Sequence, residues 1–154
     1  MKFPLLWITI SSLMVLNCVS VKPMYFDDDK KRAATAVEEF HDRFNREAYH
    51  EVYLSTHPDA RANKSEAKLI EVLTQMHDTL GKVLSSQLVH AKVSVANANE
   101  RQVEIVYRTR FEKGERNEAF LVVTDENQGR LHTFAVPTDE DVQKLLNGET
   151  PRPN

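Results

Sequence analysis

Six histidines are the residues of this 154-residue chain best suited to hold a metal or move a proton: His41, His50, His57, His77, His90 and His132. They form no HExxH or HxH spacing, and the single cysteine supplies no thiolate pair. On one continuous helix His41 and His50 would stand about 180° apart around the axis. His50 and His57 would lie roughly 10 Å apart along it, too far for one ion with ligands near ~2 Å. His41 borders the apolar stripe 37–44 and His77 the stripe 73–80, so these two are best placed to meet. Nothing in these spacings calls for a metal or any other cofactor.

Acid–base chemistry in a pocket needs a different set, a Tyr, a His or a carboxylate projecting into a cavity. By position the pocket candidates are His41, Tyr53, Tyr107, Glu118 and His132. Tyr107 keeps phase with Val103, Ile105 and Phe111, which makes it first a core aromatic. His132 shares parity with Phe134 and Val136 and is therefore expected to face inward. No pair stands at a known catalytic spacing, so no catalytic residue is assigned. A concavity filled by Phe and Leu would count against an enzyme. One open above roughly 300 Å³, with Tyr107 or His132 facing a carboxylate, would count for one.

Arg108, Arg110, Lys113 and Arg116 make the densest basic patch, interleaved with Glu104, Glu112, Glu115 and Glu118. Alternating signs on neighbouring strands describe a solvated face with cross-strand ion pairs. Lys30, Lys31 and Arg32 are balanced by Asp27, Asp28 and Asp29 just before them. The chain has no nucleophile elbow, and no phosphate-binding loop among only 4 glycines. With 20 Lys+Arg against 23 Asp+Glu it carries a net charge of −3, without the basic excess that nucleic acid demands. At 41% hydrophobic and 28% charged, it has the composition of one mildly acidic globular domain.

Residues 1–20 join a single early cation, Lys2, to an apolar run over 5–16, the pattern of a secretory signal. A membrane-spanning helix usually needs about 20 apolar residues. Cys18 follows the run where bacterial lipoproteins carry their lipidated cysteine. Val15 and Cys18 resemble the first and last positions of that lipobox, while Leu16 and Asn17 depart from it. Cleavage after Ser20 is the competing route, with Cys18 and Ser20 as the small residues before the cut, and an uncleaved anchor over 3–21 is the third. The expected location is the periplasm of a bacterium, or its membrane through a lipid anchor.

Beyond the signal, 21–29 is predicted as a spacer. From Lys30 the positions Ala33, Val37, Phe40, Phe44 and Ala48 recur at helical spacing. Tyr49, Val52 and Tyr53 begin a second short helix that stops before Pro58, and 58–64 reads as a loop. Ser65 caps a helix over 66–80 that ends at Gly81. The period then changes to two. Strands over 89–95, 103–111, 118–124 and 130–136 are separated by short turns, which predicts an antiparallel meander. Thr138 caps a last helix holding Val142, Leu145 and Leu146, and 137–154 forms that helix and a tail. The main domain spans 30–136.

This order predicts an α+β fold, N-terminal helices packed on a curved four-stranded antiparallel sheet. It resembles the nuclear transport factor 2-like, cystatin-related superfamily, and more narrowly the small exported bacterial proteins built on that scaffold. The residues carrying the likeness are Val37 to His41, Tyr49 to Tyr53, Leu80 to Val83, Val106 to Phe111, Gly114 and Glu118 to Phe120. The resemblance implies helices seated in the concavity of the sheet. It implies no single chemistry, because this scaffold hosts isomerases, dehydratases and plain binding modules. The expected function is an exported, non-catalytic binding module for an envelope protein or small ligand. The alternatives are a small enzyme working in the concave pocket and a structural homodimer packed sheet on sheet. The binding expectation requires that no ionisable pair be buried where the helices meet the sheet.

Overall fold

A computed structural model describes residues 24–148, and the predicted signal segment over 1–20, with Cys18, and the residues beyond Gly148 lie outside them. Four helices precede the sheet: α1 (Met24–Asn45), α2 (Tyr49–Ser55), α3 (Pro58–Asn63) and α4 (Glu66–Leu80). Strands β1 (Val83–Val95), β2 (Arg101–Phe111), β3 (Gly114–Thr124) and β4 (Gly129–Ala135) follow, then α5 (Asp139–Leu146). The strands pair antiparallel in chain order, as the alternation predicted. The protein is an α+β fold of helices packed on a four-stranded antiparallel sheet.

The core grows from the predicted stripes. Ala33, Val37, Phe40 and Phe44 of α1 pack on Val103, Ile105, Phe111, Phe120 and Val122 of the sheet. Fully burying a Val or Phe side chain contributes roughly 1.5–3 kcal/mol, so this stripe-on-sheet contact is a large contribution to stability. α1 touches all four strands, whereas α4 packs mainly against α2 and stands off the sheet. That difference shapes the candidate site.

Several boundaries differ from the sequence prediction, β3 beginning at Gly114 rather than 118 among them. α1 begins at Met24 rather than Lys30, because Asp29 is a buried anchor and not part of a spacer. Its carboxylate accepts from Thr124 Oγ1 at 2.8 Å and from Arg32 at 3.3 Å. The predicted loop 58–64 contains α3: Pro58 starts the helix, where its missing N–H costs nothing, and His57 caps it through Nδ1. β1 begins at Val83, so the sheet has a 13-residue edge strand. Register shifts pass over Leu84 and Val89, two of the large apolar residues this edge exposes. Bulges of this kind twist an edge and discourage pairing with another chain.

α5 lies on the opposite side of the sheet from α1. Tyr107 pairs in register with Glu118 on the α1 side, so the neighbouring pair Arg108 and Asn117 points the other way. Asp139, at the start of α5, accepts from Arg108 at 2.5 Å and from Asn117 at 2.7 Å. The Asn117 amide first and the Arg108 guanidinium second hold the Asp139 carboxyl below its ordinary range. Thr138 and Asp141 complete a capping box.

Candidate functional site

The sheet register brings together three of the five predicted pocket residues. His41 projects from the second half of α1 and places Nε2 2.9 Å from Glu118 Oε2 on β3. Tyr107, the register partner of Glu118, puts its ring edge-on to His41 at 6.5 Å, and Phe120 contacts both rings. Burial first, and the Glu38 carboxylate second, push the Tyr107 phenol above its ordinary range. An ionisable pair is therefore buried where α1 meets the sheet, contrary to expectation. Glu118 was also expected beside Arg108 and Arg110 on the solvated face. Its register partner is Tyr107, so it faces inward and is only 1% exposed.

A carboxylate holding an imidazole is the arrangement of a general base and its orienting partner. Here substrate access is missing. His41 is 7% exposed, and Phe40, Phe120 and Tyr107 close over the pair. The second oxygen of Glu118, Oε1, is buried without a hydrogen-bond partner.

The other two predicted residues, Tyr53 and His132, line a depression of only ≈ 30 Å³. That is about the volume one water occupies in the liquid. His132 is the extra residue of a bulge, at the register shift opposite Leu121 and Val122, and it faces the helix side with Phe134 as expected. Its ring lies 6.0 Å from that of His57, and its Nδ1 is buried and unpartnered. His57 Nε2 approaches Glu100 Oε1 at 3.3 Å. The Asn97 amide first, and His57 second, hold the Glu100 carboxyl below its ordinary range. His57 and Glu100 were not predicted as partners; His57 before Pro58 was the only local signal. His41 and His77 do not pair: His77 packs edge-on to Phe44. Among the described residues no three His, Cys, Asp or Glu are placed to share a metal ion, and no helix is long and apolar enough to cross a membrane.

Open space lies elsewhere. Because α4 stands off the sheet, a groove of ≈ 880 Å³ runs between it and the ends of β3 and β4. Leu69, Val72 and Met76 form one wall, Phe134 and Val136 the other. The volume falls within the range of about 300–1,000 Å³ typical of small-molecule sites. Lys64, Lys68 and Arg116 stand along it, and no acidic side chain lines it among the described residues. Neither His41, Tyr107 nor Glu118 lines it. Arg116 was grouped with Arg108 and Arg110, but it pairs in register with Thr109 and so shares the helix side with Glu118. Arg108 and Arg110 remain on the solvated face as predicted, both exposed. No protein-family model matches the chain, and no curated protein matches it.

Proposed function

We propose that this protein is a non-catalytic binding module, exported to the cell envelope of a bacterium, which holds a small ligand in the groove beside α4. The buried His41–Glu118 pair breaks the condition first set for this reading, which rests instead on one observation: the open apolar space lacks an acid–base pair, and the acid–base pair lacks open space. The helix-then-meander order also supports a place in the nuclear transport factor 2-like, cystatin-related superfamily, whose members include binding modules. The signal-like segment 1–20 supports export.

The test is saturable binding of a neutral apolar fluorophore, N-phenyl-1-naphthylamine, to the full-length chain. Val72, exposed on the groove side of α4, allows a blocking substitution without touching the core. Binding at one site, abolished by Val72→Glu at unchanged melting temperature, is expected; absence of saturable binding would refute the groove as a site. The mass of the protein recovered from the envelope checks export. A diacylglyceryl adduct on Cys18 or an N-terminus at Val21 agrees with it, and an intact Met1 in the cytosolic fraction contradicts it.

A second reading, a pocket enzyme, is favoured by the His41–Glu118 hydrogen bond alone. It requires α1 to move off the sheet and admit a substrate. The homodimer packed sheet on sheet is less well supported, because α5 already covers part of the face it would use.

A further inference from the structure

We infer that the groove beside α4 takes a single-chain anionic amphiphile, specifically a long-chain carboxylate, with its tail along Leu69, Met76 and Phe134 and its head between Lys64 and Lys68. This rests on the groove being a binding site and adds the chemical class of what fills it. The first support is shape. α4 has 15 residues, about 22 Å at 1.5 Å per residue, and residues from Ser65 to Leu80 line the groove along its whole length. An elongated apolar trough favours a linear chain.

The second support is charge. The chain as a whole is acidic, yet the groove is lined by three cations and, among the described residues, no carboxylate. Two of the cations stand together at one end, on either side of Ser65 and four residues apart. Lys64 Nζ donates to Thr133 Oγ1 at 3.1 Å and has no carboxylate partner among the described residues. Lys68 Nζ reaches Glu71 Oε2 at 2.9 Å, but both side chains are about two-thirds exposed. Such a surface pair contributes little and yields readily to a ligand carboxylate. The Ser65 hydroxyl accepts from the Lys68 amide and keeps its own proton to donate. Arg116 stands at the far end, on β3 just past the turn where the Lys113 N–H donates to the Leu80 carbonyl oxygen, and its guanidinium donates to the Glu115 carbonyl oxygen. A lone carboxylate engages the Lys64–Lys68 end, whereas a neutral or cationic head leaves Lys64 with only the Thr133 hydroxyl and Lys68 with only Glu71.

Competition against N-phenyl-1-naphthylamine on the full-length chain separates the possibilities, using decanoate, decanol and decyltrimethylammonium below their aggregation limits. Decanoate is expected to displace the fluorophore at least about tenfold more tightly than decanol, and decyltrimethylammonium least of all. Added salt should narrow the gap, since exposed charges are screened within about 8–10 Å at 0.1–0.15 M. Lys64→Gln with Lys68→Gln should bring decanoate down to the level of decanol, while Arg116→Gln changes the ratio less than threefold. Equal displacement by decanoate and decanol would overturn the anionic assignment and leave the groove reading standing. Failure of the fluorophore itself to bind would overturn both. A larger loss from Arg116→Gln than from the lysine pair would overturn the orientation. Melting temperatures within 2–3 °C of the parent's (roughly 1 kcal/mol or less) are required of each variant, all three positions being exposed.

Discussion

Two places on the helix-covered side of the sheet differ in almost every respect. Under α1, His41, Glu118 and Tyr107 meet among Phe40 and Phe120 with 1–8% of each of the three exposed. Beside α4, a groove of ≈ 880 Å³ opens over apolar walls with cations along it and no partner for acid–base work. The contrast follows from how each helix is seated. α1 carries a stripe of Ala33, Val37, Phe40 and Phe44 that fits the sheet and seals whatever polar groups lie beneath it. α4 spends its buried residues Leu73, Met76 and Leu80 in the same core but packs chiefly on α2, leaving Val72 and Leu69 beside open space. A reactive-looking pair is thus weak evidence for catalysis until a substrate can reach it. In the sealed seam the same residues bear on stability, since removing one leaves the other buried without its partner.

The largest effects are expected in the seam. Glu118→Ala should cost about 3–5 kcal/mol by leaving His41 buried without its partner. Replacing both, His41→Phe with Glu118→Leu, should restore most of it in denaturant unfolding. A cost below about 1 kcal/mol for Glu118→Ala would mean the seam is open to water, and would sharpen the enzyme alternative. Adjacent residues of α4 then measure the contrast directly. Leu73→Ala should cost about 2–5 kcal/mol, against under about 1 kcal/mol for Val72→Ala. Leu73 is fully buried and Val72 is 40% exposed. Equal costs would show that the groove is part of the core.

A pH titration gives a smaller, directional test. The folded protein raises the Tyr107 pKa, so the protonated phenol contributes stability that is complete below the unfolded value near ~10. That contribution is lost as pH rises through the folded value. Tyr107→Phe should flatten the alkaline limb of a melting-temperature profile, and an unchanged limb would mean that the ring is solvated. At the acid end the signs reverse for Asp139, whose folded pKa is lowered by Asn117 and Arg108. Its contribution is present above the ordinary aspartate value and fades as pH falls through the depressed one; Asp139→Asn should remove that dependence from the fraying of α5, read by hydrogen exchange. The smallest effect is expected on the solvated face, where Arg110→Ala should change stability by less than about 1 kcal/mol.

Much of the architecture was legible in the residues. Helix 66–80, with Ser65 as its cap and Gly81 at its end, matches α4 in both bounds. Gly81 carries a φ of 73°, the positive φ expected of a glycine there, although its ψ of −163° lies outside the left-handed helical region. All four strands and their pairing order followed from alternation. The misses share a cause. Asp29 and Glu118 are polar residues whose role is set by a partner far along the chain or by the pairing register. Local pattern reports neither. Glu118 looked like one more acid among alternating charges until its pairing with Tyr107 turned it inward.

The sequence by itself determined which segments are helix and which are strand, and so the layered α+β class, because period and capping are local and additive along the chain. It also carried the candidates His41, Tyr107 and Glu118, without saying that they meet. Only the tertiary structure decided that they are sealed, that Tyr53 and His132 stand apart from them, and that Arg116 joins Lys64 and Lys68 along an open groove. The angle at which α4 leaves the sheet and the parity of each strand depend on contacts between residues distant in sequence, where the energy of packing is shared and no short window contains it.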